Sequence, residues 1–543
     1  MSESEGSGVT RRRFLRAVGV TGGAGAMFAT MGALDLAATD TARPRFEELR
    51  PADFHLSGRS AAKVVILGGG VAGLACAYEL GKAGYDCTIL EAQNRFGGRN
   101  FTVRGGTTHT EIGGMSQRSA FSTDQYLNAG PGRIAQWMVT MDYCRELGVP
   151  LEVFNNTNID AYIYREKNGA KPGFPVRRRA AKADVYGYVS ELLAKATDQG
   201  ALDKQLNPED KEKLLDFLRD WGDIGKKVPG NPEKSWIYDG SNRRGYTQWP
   251  GATGSHAVRS GPVPTLSQVL HSEVGLDLSF ENEYKDAMVM MQPVGGMDQI
   301  PQALAKRVGA DRIKLGCVVT KVSTGADHVQ VSYREGGQDK MFEADYCIAT
   351  LPPNLMVKVP NNFAPGVQRA LNAYKQVNAG KIGLEYRSRW WEITDRIYGG
   401  ITETDLDLDH IWYPSHGYHS PRGVLVGYYN LNDRAANYSK LTAAAREARA
   451  VSQGAKIHGP KYRTELASSF SIDWSRSPYI EGAWQKIQDD DPELPIYAPL
   501  SDAAGRVYFS GDWLSHTVSW QHGAFLSAQK TVTQIHKRAL SAA

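Results

Sequence analysis

Three glycines and one glutamate carry the first chemistry in this sequence. Gly68, Gly70 and Gly73 form a G-x-G-x-x-G run between an apolar stretch, 64–67, and a helix-patterned stretch, 72–84. The first glycine permits a tight turn. The second lets backbone N–H groups approach a pyrophosphate, and the third lets the helix pack closely on a sheet. Val71 and Ala72 then sit at the helix N-terminus, whose partial positive charge suits phosphates. Glu91 ends a second strand-like run, 88–90. A carboxylate there accepts hydrogen bonds from ribose hydroxyls and repels a 2′-phosphate. These positions predict a dinucleotide cradle. Just beyond, Ala92, Arg95 and Gly97-Gly98-Arg99 add two arginines and a turn. The glycines admit the backbone, and guanidinium groups suit phosphate.

Such residues need a sheet and helices to hold them. Residues 64–90 read as a β-α-β unit. From 128 to 290 the signals are mainly helical, with helix-like periodicity over 133–147, 181–197 and 208–221. The Gly-, Pro-, Ser- and Trp-rich stretch 230–264 reads as a long surface loop. A turn and helix follow at 294–308, then strands at 314–322, 328–334 and 342–348. Residues 371–429 mix strands and loops, 441–457 is helical, and the chain closes with a strand, 507–510, and a helix, 522–540. The 543 residues are 41% hydrophobic and 22% charged, which excludes a disordered, collagen-like or coiled-coil chain. A net charge of +4 over this length gives no footing for nucleic-acid binding. The five cysteines fit no metal spacing, and no metal is expected. Cys87, Cys317 and Cys347 fall in strand-like runs and Cys76 in a helix-like one, so buried free thiols are expected.

The first forty residues read as an address. Arg11-Arg12-Arg13-Phe14-Leu15-Arg16 precedes an uncharged Gly- and Ala-rich run, 17–34. A basic start, a mildly apolar middle and small residues at Ala37-Ala38 describe an export signal. It resembles the twin-arginine type, which implies an export translocase as partner and a folded, exported (periplasmic or secreted) protein. No later stretch is apolar enough to span a bilayer, so the mature protein is expected to have no membrane span.

Residues 91–99, Glu-Ala-Gln-Asn-Arg-Phe-Gly-Gly-Arg, resemble the E-A-x-x-R-x-G-G-R segment of the flavin amine oxidases. The resemblance runs through nearly the whole chain after the signal. It includes the GGM turn at Gly295-Gly296-Met297, the adenine-contacting strand at Val319, and the proline exit Ala349-Thr350-Leu351-Pro352-Pro353. Gly511-Asp512 resembles the family's segment at the ribityl chain, with aspartate in place of the usual glutamate. Trp520, Gly523 and Ala524 resemble the start of the last helix, which holds the flavin's pyrimidine end. The implied fold is α/β: a Rossmann-type, GR2-type FAD-binding domain (60–127, 291–356 and 490–540) interleaved with a helical domain (128–290) and a mixed-sheet substrate domain (357–489). No Ser-Gly-Gly-Cys linkage is present, which implies noncovalent FAD.

Gly130-Pro131-Gly132-Arg133-Ile134 resembles the L-amino-acid oxidase segment whose arginine holds the substrate carboxylate. Ile411-Trp412-Tyr413-Pro414 resembles the I-Y-Y-P stretch of those enzymes, which implies that Tyr413 faces the flavin and the carboxylate. Trp520 would be the other aromatic wall, and Lys381 matches the lysine that holds a water against flavin N5. No histidine stands in 276–293 where venom-type members place a base, and His109, His516 and His522 receive no role. The resemblance thus implies oxidative deamination of L-amino acids, leaning to large apolar or aromatic side chains. The products would be 2-oxo acid, ammonia and hydrogen peroxide, with molecular oxygen as acceptor. An amino-acid 2-monooxygenase giving an amide, an amine or polyamine oxidase, and a non-catalytic FAD-binding protein are the alternatives. A homodimer is left open.

Overall fold

The computed structural model describes residues 50–541 apart from 169–170, 174, 254–255, 288 and 488–496. The segment read as an export signal lies outside the described residues. One sheet is fully parallel, in the order Ile313–Lys314, Asp86–Leu90, Lys63–Leu67, Tyr346–Ala349, Val507–Phe509. Its strands are almost wholly buried, as parallel sheets require, and alternate residues feed different cores. Val64 and Ile66 face a cluster built on helices Val71–Lys82, Gln299–Val308 and Gln521–Ser541. Val65 and Leu67 face the antiparallel meander Cys317–Thr324, Val329–Glu335, Gln338–Ala344. The sheet draws on stretches far apart in sequence, so the chain leaves it and returns.

During those excursions it builds a second, seven-stranded sheet. The order is Val176–Arg177, Tyr162–Tyr164, Ile401–Thr404, His410–Trp412, Gly423–Leu431, Ala379–Tyr386, Leu466–Asp473. Two of these strands come from the region read as mainly helical. The helix expected over 133–147 starts only at Val139, because Ile134 and Ala135 pair with Met291 and Met290. The helices Arg178–Asp198 and Pro208–Gly222 form as their periodicity predicts. The stretch 230–264 is not wholly irregular: it holds two short 3₁₀ turns and the hairpin Tyr246–Gln248 with Val258–Arg259. All five cysteines are buried and free. Among the described residues no helix is long and apolar enough to cross a membrane.

Candidate active site

A cavity of about 930 Å³ runs from the carboxyl ends of the parallel strands to one face of the second sheet. At the first end the chain turns sharply out of Lys63–Leu67. Gly68 has φ +104, a conformation L side chains avoid. A Cβ on Gly73 would fall 2.1 Å from the Gly68 carbonyl oxygen, so the third glycine is a packing requirement. A Cβ on Gly70 would meet nothing within 4 Å, so that glycine opens onto space a ligand can use. Glu91 is buried and accepts hydrogen bonds from the Gly69 and Gln93 N–H groups at 2.7 and 2.8 Å. Burial pushes its carboxyl pKa up. Gly70, Val71, Ala72, Glu91, Ala92, Gly98, Arg99, Val319, Gly511, Asp512, Trp520 and Ala524 all line this part of the cavity.

Arg99 and Asp512 form an ion pair there, and Arg99 also donates to the Ala483 carbonyl at 2.8 Å. Asp512 accepts from the Ser519 N–H at 2.9 Å. Arg95 departs from its expected place. It does not line the cavity: its guanidinium packs 4.2 Å over the Phe101 ring and donates to the Gly98 carbonyl at 2.8 Å. Burial lowers its pKa to about 10. It therefore braces the Gly97-Gly98 turn from behind. Gly523 is likewise a packing position, since a Cβ would lie 2.1 Å from Ser515 Oγ.

The floor of the other end is one face of the second sheet. Ala379, Lys381, Ile401, Glu403, His410, Trp412, Tyr429 and Leu431 line it, every second residue on four adjacent strands. Lys381 stands on a strand whose every residue is buried. Its Nζ donates to the Gly130 and Asn128 carbonyls and lies 4.9 Å from the Trp412 ring and 4.6 Å from that of Tyr429. Burial, helped by the charge of Arg133, lowers its pKa to about 7. Arg133 donates to Asn156 Oδ1 at 2.6 Å, pairs with Asp286 at 3.0 Å, and packs 4.9 Å over Trp412. The glycines before it allow this crowding. A Cβ on Gly130 would lie 1.8 Å from the Arg99 carbonyl oxygen, and one on Gly132 would lie 3.0 Å from the Trp412 ring.

Tyr413 does not reach this cavity. On a strand, neighbours point to opposite faces, and here Trp412 takes the cavity side. Tyr413 packs into the core behind the sheet, its hydroxyl 2.8 Å from Thr402 Oγ1 and 2.7 Å from His458 Nε2. His458 is held in turn by Asp395 at 2.8 Å. Tyr413 borders only a small pocket of about 40 Å³ beside Lys381. The motif match misses Trp412 because a dipeptide of two aromatics carries no phase; the phase comes from the pairing of Trp412 with Ile401. Also missed are Tyr429, Asn156 and Asp286. Tyr429 had a usable signal, the two-residue spacing to Leu431 on an apolar strand. His109, expected without a role, lies 3.3 Å from Ser477 Oγ, and His522 accepts from the Val139 N–H at 3.1 Å.

The sequence profile described as flavin containing amine oxidoreductase matches residues 71–536. The L-amino-acid oxidase of Pseudechis australis is 27% identical over 518 residues, covering 90% of this chain and 92% of its own. Among solved structures, cyclohexylamine oxidase from Brevibacterium oxydans IH-35A superposes with a TM-score of 0.56 at 16% identity, over 88% of this chain and 99% of that one. Wild-type putrescine oxidase bound to putrescine gives 0.55 at 17%, over 88% and 99%. At such identities the structural likeness speaks for the fold alone. FAD is the cofactor, and the open face of Gly70, the helix N-terminus at Val71 and the buried Glu91 carboxylate fit its diphosphate and ribose. With the match running from the glycine turn into the last helix, this chain belongs to the flavin-containing amine oxidoreductase family.

Proposed function

We propose that the protein oxidises L-amino acids to 2-oxo acid, ammonia and hydrogen peroxide. The observation that carries this reading is a buried guanidinium, Arg133, on the cavity wall, stacked over Trp412 and close enough to Lys381 to depress its pKa. Such a group suits a carboxylate, which amines lack. The Trp412 ring beneath it gives that guanidinium an aromatic wall to lie against. Bound FAD supplies the two-electron acceptor that dioxygen reoxidises. The chain's own residues do the rest. Arg133 fixes the carboxylate and so aims the α-carbon. Trp520, Trp412 and Tyr429 wall out water with aromatic surface. Lys381, poised between its charged and neutral forms near neutral pH, holds a water at the reacting face.

The test is Arg133→Ala assayed with one amino acid and its decarboxylated amine. Losing a charge-assisted contact to a buried carboxylate costs about 2–5 kcal/mol, so kcat/KM for the amino acid should fall about 30- to 5000-fold. The amine should change far less. One observation favours a second reading, an amine oxidase: Arg133 already has a carboxylate partner in Asp286. Equal losses on both substrates would select it. Product analysis separates either reading from a monooxygenase, which would yield an amide.

A further inference from the structure

The end of the cavity away from the glycine cradle carries a pair of acids. Glu403 and Asp277 both line it, near enough for the charge of Asp277 to raise the pKa of Glu403. Each is held by an arginine that does not line the cavity. Arg178 binds Glu403 at 2.9 Å and Arg165 binds Asp277. Burial pushes both acids' pKa values up, so two carboxyls side by side here gain from a cation between them. Near Arg133 and Lys381 the same cavity presents cations. The cavity so offers two carboxyls in one region and, in another, Lys381 and an Arg133 that is paired with Asp286.

The sheet supplies a ruler. Arg133 packs over Trp412, and Trp412 pairs with Ile401. Glu403 is the next residue on that face, two positions further along the same strand and paired with His410. At about 3.4 Å per residue along a strand and about 4.8 Å between strands, Glu403 lies on the order of 8 Å diagonally from Trp412. An extended lysine side chain spans five bonds, about 6 Å from Cα, and arginine slightly more.

Resting on Arg133 as the carboxylate site, we infer that the amino acid oxidised carries a cationic side chain whose head binds between Glu403 and Asp277. Glu403 is then the specificity-determining residue. The lean towards large apolar side chains drawn from aromatic content fits the walls, Phe280, Trp412 and Tyr429, which would cover the methylene stem. It leaves out the charge at the far end.

The first measurement needs no variant: kcat/KM of the flavin-loaded enzyme for L-arginine against L-citrulline, which has the same length and a neutral head. Arginine should exceed citrulline by about 10- to 100-fold, the range for hydrogen bonds to a charged group. Glu403→Gln should reduce that ratio by about the same factor, and Asp277→Asn should do so too. Bound-flavin absorbance in each variant reports whether it has folded; where a variant has not, the wild-type ratio decides. If Glu403 only ties the helix Val274–Ser279 to the sheet through Arg178, the variants lose melting temperature and keep the ratio, and the inference falls. Equal turnover of arginine and citrulline, or preference for leucine or phenylalanine, overturns it while leaving amino-acid oxidation in place. Turnover of amines with none of amino acids overturns both.

Discussion

Lys381 is a cation placed where charge is poorly tolerated. Its side chain is 3% exposed and its pKa is lowered from 10.5 to about 7. The unfolded chain binds this proton below about pH 10.5, and the folded chain only below about 7. Between those values the unfolded state holds more protons, so this group's contribution makes stability rise with pH. The penalty at pH 7 is on the order of 4 kcal/mol. Lys381→Met abolishes it, at the pH-independent cost of two carbonyls, Asn128 and Gly130, left without their donor. The melting temperature of the variant minus that of the wild type should therefore fall as pH rises from 7 to 10. A difference that stays flat over that range would mean the lysine is not buried as described. At this scale the sequence was only partly legible. Arg133 and Lys381 could be picked out by their neighbours, since glycines crowd the first and apolar residues flank the second. Choosing between Trp412 and Tyr413 required the phase of a strand, which is set by a partner more than ten residues away.

Among the elements, the glycine turn separates two demands that share one motif. Gly73 is needed by the fold, because a Cβ there strikes the Gly68 carbonyl. Gly70 is needed by the ligand, because the space beside it is empty of protein. Gly73→Ala should therefore lower folded yield and melting temperature. Gly70→Ala should leave the far-ultraviolet circular dichroism of the wild type and lose flavin, read as the ratio of 450 to 280 nm absorbance. A Gly70→Ala protein that keeps full flavin would place the diphosphate elsewhere. This turn was readable because strand, turn and helix are contiguous, so local spacing encodes them. The second sheet was less so. Tyr162–Tyr164 and Val176–Arg177 are strands of three and two residues, only the second at the sheet's edge, and the pairing of the first with the distant Ile401–Thr404 leaves little periodic trace. The same holds for Ile134 and Ala135, whose apolar character fits a helix until Met290 and Met291 claim them.

For the molecule as a whole, one sheet holds the cofactor end of the cavity and the other holds the substrate end, so the reaction would take place deep inside the protein. On the proposed function, hydrogen peroxide would be released into the protein's own interior. The five thiols bear on how long the protein lasts. Only a thiolate reacts readily with peroxide. Burial pushes Cys76, Cys87 and Cys144 up to about 12 and Cys317 to about 11, and raises Cys347 further. All five are then protonated at neutral pH and shielded from solvent. A thiol reagent should label none of them in the native protein and five in denaturant, and prolonged turnover should leave the second number unchanged. Fewer than five after turnover would reveal a cysteine within reach of the peroxide. The packing that keeps these sulfurs dry would then serve as the enzyme's armour against its own exhaust, giving it a working life set by something other than sulfur.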